Sequence, residues 1–252
     1  MIHFVGAGCG APDLITVRGA ELLKNAGVII YAGSLVNPAL LDYAKEGCEI
    51  FNSAKMTLDD VIAAMSRAER EQKTTVRLHT GDPSVYGAIR EQMDRLDALG
   101  LAYDVTPGVS SFCGAAAALR AEYTLPGISQ SVIITRMAGR TPVPERESVR
   151  SFAAHGATMV IFLSAGMTDE LQSELMAGGY APESPAAIVY KASWPDERVL
   201  RCTVGTLHET AEKNGVGNLA LITVGGFLGA DYELSKLYDP AFTTAFRKGT
   251  DA

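Results

Sequence analysis

Short apolar, β-branched runs alternate with amphipathic helical patterns through the first half of the chain. Each run has the length of a buried strand, and the pattern after it repeats its apolar positions with helical spacing. Strict alternation of β and α units predicts a parallel sheet with right-handed crossovers. The predicted strands are residues 3–5, 27–31, 49–51, 74–78 and 103–105, and the predicted helices are residues 18–25, 38–44, 58–71, 87–99 and 111–120.

In the second half of the chain the predicted strands follow one another more closely. Only a turn around Trp194-Pro195-Asp196 separates two of them, which indicates a hairpin and therefore a mixed sheet. Residues 121–130, which contain Pro126-Gly127, form the expected boundary. We predict an α/β protein of two domains, residues 1–120 with a parallel sheet and residues 121–252 with a mixed sheet. The strands predicted in the second half are residues 131–135, 159–163, 187–190, 198–204 and 219–224.

Three glycine-containing segments each follow a strand-like run and precede a helical pattern. They are VGAGCGAPDLIT (residues 5–16), HTGDPSVYG (79–87) and VTPGVSS (105–111). Because the carboxyl ends of parallel strands meet at one sheet edge, these segments should lie together where open α/β folds bind ligands. We expect their glycines to clear side-chain bulk from that edge. The glycines concerned are Gly8, Gly10, Gly81 and Gly108.

A fourth segment, YKASWPDE (residues 190–197), contains the single tryptophan of the chain. A tryptophan beside a proline in a hairpin most often serves as a packing anchor. We therefore expect Trp194 to pack against protein rather than to cover a ligand.

Charge and composition restrict the classes of function. The 252 residues carry a formal net charge of -7, from 22 basic and 29 acidic residues. A general nucleic-acid binder needs a basic face, so this charge argues against one. No apolar stretch reaches the roughly 20 residues that a membrane-spanning helix needs. Residues 1–5 resemble a buried strand rather than an export signal, and we expect a cytoplasmic protein.

The four cysteines and four histidines are scattered along the sequence. None shows CxxC spacing or a cysteine–histidine pairing typical of zinc ligands, so no metal site is predicted. Reduced thiols in a cytosolic protein are the expected state.

The first glycine segment departs from the dinucleotide-binding fingerprint. Its glycines give GxGxG rather than GxGxxG, and Pro12 stands where the helix should begin. The second predicted strand ends at Tyr31-Ala32 without an acidic residue that could hold a ribose. A nicotinamide or flavin site is therefore disfavoured, and a nucleotide-binding oxidoreductase remains the alternative from another class of function.

The groups expected at the sheet edge are polar but not strongly cationic. They are backbone amides and carbonyls, one carboxylate and several hydroxyls, without the lysine of a phosphate-binding loop. This set suits a zwitterionic nucleoside better than a triphosphate. Asp82 before Pro83, and Ser110 or Ser111 before an alanine-rich helix, are also what helix N-termini use for capping.

The three glycine-containing segments resemble the signature segments of the tetrapyrrole methylase family, the class III S-adenosylmethionine-dependent methyltransferases. Four further segments resemble those of the precorrin-4 and cobalt-precorrin-4 carbon-11 methyltransferases of cobalamin biosynthesis within that family. The resemblance runs from Ile2 to about Arg247. The four segments are YAGSLV (residues 31–36), TRMAGRTPVPE (135–145), KASWPDE (191–197) and LYDPAF (237–242).

The resemblance implies a two-domain homodimer that binds S-adenosylmethionine in a cleft between the domains and acts on precorrin-4 or cobalt-precorrin-4. After methyl transfer the cofactor would leave as S-adenosylhomocysteine. A sister enzyme acting at another ring carbon, a diphthamide-pathway methyltransferase of the same fold and a non-catalytic tetrapyrrole carrier are alternatives. The implied cofactor contacts are Cys9, Thr80, Gly81, Asp82, Val85, Tyr86, Ser110, Ser111, Leu163, Ala192, Thr223 and Val224.

Two residues of the first loop depart from the family pattern. Cys9 stands where the family usually has proline, and Ala11 where it often has aspartate. The first change removes a ring that fixes φ, and the second removes a carboxylate. Because the loop is used mainly through its backbone, we expect function to survive both changes.

No catalytic residue is predicted, because a sulfonium methyl is already activated and a reduced tetrapyrrole offers an electron-rich carbon. Alignment of the reacting atoms at roughly 3 to 3.5 Å then matters more than a strong base. The carboxylates of the substrate need cations, and guanidinium groups bind carboxylates well. Arg146 and Arg150 are better explained as a solvated helix face. The predicted substrate contacts are Arg18, Arg136, Arg140 and Lys191.

Overall fold

The structure, a computed structural model that describes residues 1–250, divides into two compact units. The first unit is Met1–Ala118 together with Lys191–Arg198, and the second is Leu119–Tyr190 together with Val199–Ala252. The sequence prediction did not anticipate that Lys191–Arg198 groups with the first unit. The last two positions of the predicted second domain lie outside the described residues.

The first sheet is parallel throughout. Its strands are β1 (Ile2–Gly6), β2 (Val28–Tyr31), β3 (Glu49–Asn52), β4 (Thr75–His79) and β5 (Tyr103–Thr106). They lie in the order β3-β2-β4-β1-β5, which places β4, β1 and β5 side by side. The three glycine-containing segments follow these three adjacent strands, so the prediction that they meet at one edge is confirmed.

Helices cover both faces of this sheet, because its strands bury apolar residues on each side. Val5, Ile29 and Leu78 belong to one apolar cluster, and Phe4 and Ile30 to another. In the part of the chain that the structure describes, the helices up to the end of this unit are α1 (Val17–Asn25), α2 (Leu58–Arg70), α3 (Ile89–Ala98) and α4 (Ser111–Leu119).

Local chemistry explains where several of these helices begin. Thr16 accepts a hydrogen bond from the Gly19 amide at the start of α1, and Thr57 forms a reciprocal capping box with Asp60 at the start of α2. The helix predicted at residues 38–44 is a 3₁₀ helix, Pro38–Tyr43. The helix predicted from residue 87 begins two residues later, because Ala88 has a left-handed backbone.

The second sheet is mixed, as predicted. Its strands are β6 (Val132–Arg136), β7 (Thr158–Phe162), β8 (Pro185–Tyr190), β9 (Arg198–Thr203) and β10 (Ala220–Val224). They lie in the order β6-β7-β10-β8-β9, with β6 parallel to β7 and β10 antiparallel to both β7 and β8. β8 and β9 are neighbours, as a hairpin requires. The helices of this unit, within residues 1–250, are α5 (Val149–Ala153), α6 (Thr168–Ala177) and α7 (Leu207–Lys213).

Among the described residues, no helix combines the length and the apolar character needed to cross a membrane.

Candidate functional site

The three glycine-containing segments are joined through their backbones. The Gly8 amide donates to the Gly81 carbonyl at 3.3 Å, and the Gly81 amide donates back to the Gly8 carbonyl at 2.9 Å. A Cβ atom added to Gly6 would lie 2.5 Å from Gly108 Cα and 2.6 Å from the Gly81 carbonyl oxygen. Only glycines permit backbones to approach this closely. The loops after β1, β4 and β5 therefore form one packed structure.

This packing corrects the prediction that the glycines clear space for a ligand. A Cβ on Gly8 would lie 2.8 Å from the Leu14 carbonyl oxygen, and one on Gly108 would lie 2.7 Å from Gly6 Cα. A Cβ on Gly10 would overlap the indole of Trp194. Gly81 has a left-handed φ of +62°, and a Cβ atom added to it would make only an ordinary van der Waals contact with Ser110. At most of these glycines, atoms of neighbouring loops occupy the place where a Cβ atom would stand. The glycines therefore allow the loops to pack against one another.

Side chains from distant parts of the sequence hold the first loop. The Ala11 amide donates to Ser193 Oγ at 2.9 Å, and Cys9 Sγ lies 3.3 Å from the same oxygen. Asn37 Nδ2 donates to the Gly10 carbonyl at 2.9 Å. Trp194 lies against Gly10, as a packing anchor would, and the expectation that it does not cover a ligand stays a prediction. Ser193 lies in one of the segments that carry the family resemblance, but nothing in the sequence pointed to its contacts with the first loop.

Two of the implied cofactor contacts, Cys9 and Ala192, lie together beside α4. Both are nearly fully buried. A Cβ added to Gly114, in the first turns of α4, would lie 2.9 Å from Cys9 Sγ and 3.3 Å from Ala192 Cβ. Gly114 therefore allows α4 to approach the first loop and the segment 191–197 at the same point.

Asp82 ties the second loop to the third. Its carboxylate accepts hydrogen bonds from the Ser84 amide at 2.8 Å and from the Ser84 hydroxyl, and its other oxygen accepts from the Gly108 amide at 2.8 Å. Partial burial favours the protonated form, but the bonds from Ser84 and Gly108 outweigh it and lower the pKa of Asp82. Asp82 is thus an ionised carboxylate that binds the turn at Ser84 and also fixes the relative position of two loops.

A buried arginine that was not predicted from the sequence supports the second loop. Arg77, only 7% exposed, donates to the Ile30 carbonyl at 3.1 Å and to Gln92 Oε1 at 3.0 Å. Gln92 Nε2 donates in turn to the Ala88 carbonyl at 3.0 Å. Burial lowers the pKa of Arg77 to about 10, so the group stays charged at neutral pH. The sequence signal was a cation between the apolar residues Val76 and Leu78 of a predicted strand, since a buried cation needs buried acceptors.

The network ends at a turn with an unfavourable backbone conformation. Tyr86 and Ala88 have φ values of 56° and 49°, in the left-handed region that residues other than glycine seldom adopt. The carbonyl of Ala88 is the one that Gln92 holds. We infer that the Arg77–Gln92 pair offsets part of the cost of this turn.

His79 closes β4 and is 3% exposed. Its ring stacks on Phe4 with the centroids 6.0 Å apart, and Nε2 has no hydrogen-bond partner among the described residues. Burial, and to a smaller degree the charge of Arg77, lowers the pKa of His79 to about 3. His79 is therefore neutral at physiological pH and supports the base of the second loop without carrying charge.

The groups at the edge of the first unit fit the nucleoside cofactor that the family resemblance implies. The Thr80 hydroxyl is buried without a hydrogen-bond partner in the described part of the chain, so a polar group of a ligand can pair with it. Tyr86 exposes 45% of its surface, Val85 is half-buried, and Ser110 and Ser111 lie at the start of α4. The set combines hydroxyls with one aromatic ring, and its carboxylate is already hydrogen-bonded.

The remaining implied cofactor contacts lie in the second unit. Leu163 follows β7 with a left-handed φ of 53° and is 63% exposed, which is unusual for a leucine. Thr223 and Val224 are fully buried in β10, and the Thr223 hydroxyl, like that of Thr80, has no hydrogen-bond partner among the described residues. These three assignments remain predictions.

Of the predicted substrate contacts, Arg136 has a clear local role. Its guanidinium donates to the carbonyls of Met137, Thr141 and Pro142 at 3.1, 3.2 and 2.9 Å, and so closes the loop after β6. Arg140 lies within that loop and is exposed. Arg136 therefore shapes the loop that presents Arg140.

The other two predicted substrate contacts, Lys191 and Arg18, belong to the first unit. Lys191 pairs with Asp196 at 2.7 Å and lies over the Trp194 ring, 5.3 Å from its centroid. Arg18 is exposed at the start of α1. Arg146 and Arg150 pair with Glu147 at 3.6 Å and Glu174 at 2.7 Å, on exposed surface as predicted.

Known proteins with similar sequences belong to the family that the glycine-containing segments resemble. The sequence profile of a family described as Tetrapyrrole (Corrin/Porphyrin) Methylases matches residues 1–208. A cobalt-precorrin-4 C(11)-methyltransferase of Methanocaldococcus jannaschii is 51% identical over 248 residues, which cover 98% of this chain and 96% of that protein.

Two solved structures have the same fold. The crystal structure of a cobalamin biosynthetic enzyme, cobalt precorrin-4 methyltransferase, superposes with a TM-score of 0.89 at 44% identity, over 91% of this chain and 96% of that one. A uroporphyrin-III C-methyltransferase of Thermus thermophilus, complexed with S-adenyl homocysteine, gives a TM-score of 0.76 at 27% identity, over 90% and 98% of the two chains. The chain therefore belongs to the tetrapyrrole methylase family.

Proposed function

We propose that this protein transfers the methyl group of S-adenosylmethionine to ring carbon 11 of precorrin-4, with or without cobalt, in cobalamin biosynthesis. The observation that carries the proposal is the 51% identity over 98% of the chain to a cobalt-precorrin-4 C(11)-methyltransferase. The joined loops after β1, β4 and β5 support it, because they gather eight of the twelve residues expected to bind the cofactor at one edge of the first sheet.

The bound cofactor would supply an activated sulfonium methyl group. The residues of this chain then need to bind and orient the two reactants, since correct alignment can supply much of the rate enhancement. The Thr80 hydroxyl, the Tyr86 ring and the backbone of the first loop are the groups we assign to cofactor binding. Asp82 acts by holding two of the loops together.

Calorimetry and product analysis test the proposal. Titration with S-adenosylhomocysteine should release or absorb heat, and titration with NAD should not. Incubation with S-adenosylmethionine carrying a labelled methyl group, and with precorrin-4 or its cobalt complex, should give a product whose NMR spectrum places the label on carbon 11. Binding of NAD alone, or a label on another carbon, would contradict the assignment.

We assign Arg140 to the carboxylates of the substrate. It is exposed in a loop that Arg136 holds in shape, so its side chain is available to a bound anion. Arg140→Ala should raise KM for the tetrapyrrole about tenfold while the affinity for S-adenosylhomocysteine stays within twofold, since a charged hydrogen bond contributes roughly 1.5 to 3 kcal/mol. Arg146→Ala is the matched control, because Arg146 is exposed and makes only a long contact with Glu147.

We also propose a homodimer, and keep the cytoplasmic location as a prediction. The C-terminal segment, residues 230–250, exposes many large apolar side chains, which is typical of a protein interface. Leu234→Ser combined with Tyr238→Ser should shift the mass measured by light scattering towards the monomer, and Val17→Ser, at an exposed position of α1, should not. The exposed apolar residues of the segment are Tyr232, Leu234, Leu237, Tyr238, Phe242 and Phe246.

A further inference from the structure

The turn at residues 9–11 is held at three successive residues by side chains from elsewhere. Cys9 contacts Ser193 through its thiol, the Gly10 carbonyl accepts from Asn37, and the Ala11 amide donates to Ser193. No proline fixes the backbone at residue 9 or residue 11. These contacts therefore help to fix the conformation of the turn, and Ser193 makes two of the three.

Ser193 is itself held in place by its own segment. Its amide donates to Glu197 Oε2 at 2.6 Å, and its φ of 64° is left-handed. Within the same segment, Lys191 pairs with Asp196 at 2.7 Å, and the Trp194 amide donates to the Lys191 carbonyl at 3.0 Å. A serine in a sparsely populated conformation, held by several bonds, is a pattern typical of functional positions.

The hydroxyl group suits its two contacts. A serine oxygen accepts from the Ala11 N–H through one lone pair, and it can donate to, or accept from, the Cys9 thiol. One oxygen thereby joins both ends of the turn. Trp194, the next residue, fills the space beside Gly10, so the segment 191–197 matches the turn in shape as well as in hydrogen bonding.

We propose that Ser193 is a positioning residue that holds residues 9–11 of the first loop in the conformation that receives S-adenosylmethionine. The inference deepens the proposed function and rests on it. Ser193 acts through Cys9 and Ala11 rather than on the reacting atoms. The segment 191–197 thus matters for the cofactor because it shapes a loop more than 180 residues earlier in the sequence.

Ser193→Gly is the most informative variant. Glycine adopts a φ of 64° without strain, so the variant removes the hydroxyl and leaves the backbone of the segment undisturbed. Ser193→Ala also removes the hydroxyl but keeps a Cβ atom, so an effect common to both variants belongs to the oxygen. Ser129→Ala is the matched control, because the Ser129 hydroxyl likewise accepts from a backbone amide, that of Thr158 at 3.1 Å, in the second unit.

Hydrogen exchange tests the positioning without any ligand. In the free protein, Ser193→Gly and Ser193→Ala should each speed amide exchange in residues 7–13 about tenfold, and Ser129→Ala should leave it unchanged. Unchanged exchange in both Ser193 variants would overturn the inference, whether or not the protein is a methyltransferase.

Calorimetry and kinetics test the consequence for the cofactor. Both Ser193 variants should bind S-adenosylhomocysteine about tenfold more weakly, since about 1.4 kcal/mol corresponds to a factor of ten. KM for S-adenosylmethionine should rise by a similar factor while kcat stays within twofold. Wild-type affinity in a variant with faster exchange would refute the role in cofactor binding. Failure of the wild-type protein to bind S-adenosylhomocysteine would instead refute the proposed function.

Discussion

The first and second glycine-containing loops lie side by side at one sheet edge, yet they are held by different means. The first loop is fixed by Asn37, 27 residues away, and by Ser193, which is 182 residues from its partner Ala11. The second is fixed over shorter distances in sequence. Asp82 accepts from Ser84 and from Gly108, 26 residues away, and Gln92 on the following helix donates to the Ala88 carbonyl. The comparison separates a loop whose shape depends on the whole chain from one that is largely shaped by its neighbours in sequence.

This difference has consequences for folding and for binding. A locally held loop can form as soon as its strand and helix pair, because few distant residues must be brought together. The first loop reaches its final shape only when residues 191–198 have joined the first unit. Substitutions far away in sequence, in residues 191–198, should therefore affect cofactor binding through the first loop. For the second loop, substitutions at neighbouring residues should have the larger effect.

The largest expected effect is that of Gly10→Ala. The added Cβ would overlap the Trp194 ring, and the φ of 155° is unfavourable for alanine. We expect the free energy of unfolding in urea to fall by about 3 kcal/mol. Gly100→Ala is the control, since Gly100 has a φ of 65° but open space around it, and it should cost only about 1 kcal/mol. Equal losses in the two variants would show that Trp194 does not constrain the loop.

Asp82→Ala should have a smaller effect, confined to the second and third loops. It removes the acceptor for Ser84 and Gly108, which should lower the free energy of unfolding by about 2 kcal/mol. Hydrogen exchange should accelerate in residues 80–88 and 106–110 but not in residues 9–11. Asp239→Ala is the control, because Asp239 accepts a similar bond from Ala241 in an exposed turn, and a loss of less than about 0.5 kcal/mol is expected.

The smallest effect at neutral pH, and the most specific, comes from His79. Its pKa in the folded protein, about 3, lies below the ordinary value near 6.5, so the unfolded chain takes up a proton first as the pH falls. Stability from this residue is fully present above pH 6.5 and declines between pH 6.5 and 3, by at most about 1.4 kcal/mol per pH unit. His79→Gln should flatten this decline, measured by urea unfolding at pH 7.5 and 5.5. The exposed His155→Gln should leave it as steep as in the wild type.

Several features of the fold were predictable because they depend on local patterns. The five strands of the first sheet were predicted to within one residue at each end, since most of them contain a short apolar run between polar segments. The hairpin of β8 and β9 was indicated by the turn residues between its strands. The helix predicted at residues 38–44 is a 3₁₀ helix instead, because Asn37 caps a short proline-initiated turn.

The site was predictable only in part. Adjacent parallel strands were sufficient to bring the three glycine-containing segments together. The use of the glycines was not predictable, because a glycine that admits a ligand and one that admits a neighbouring backbone look alike in sequence. Arg77 was missed for a similar reason, since its acceptors, Ile30 and Gln92, lie on other elements.

The sequence by itself determined the alternation of strands and helices, the edge at which the loops meet and the resemblance to a methyltransferase family. Each of these rests on residues that are neighbours in sequence or recur with a fixed period. Only the tertiary structure decided that Trp194 fills the space beside Gly10 and that Ser193 holds Cys9 and Ala11. Contacts between residues more than 180 positions apart exist only after the chain has closed, so no local pattern encodes them.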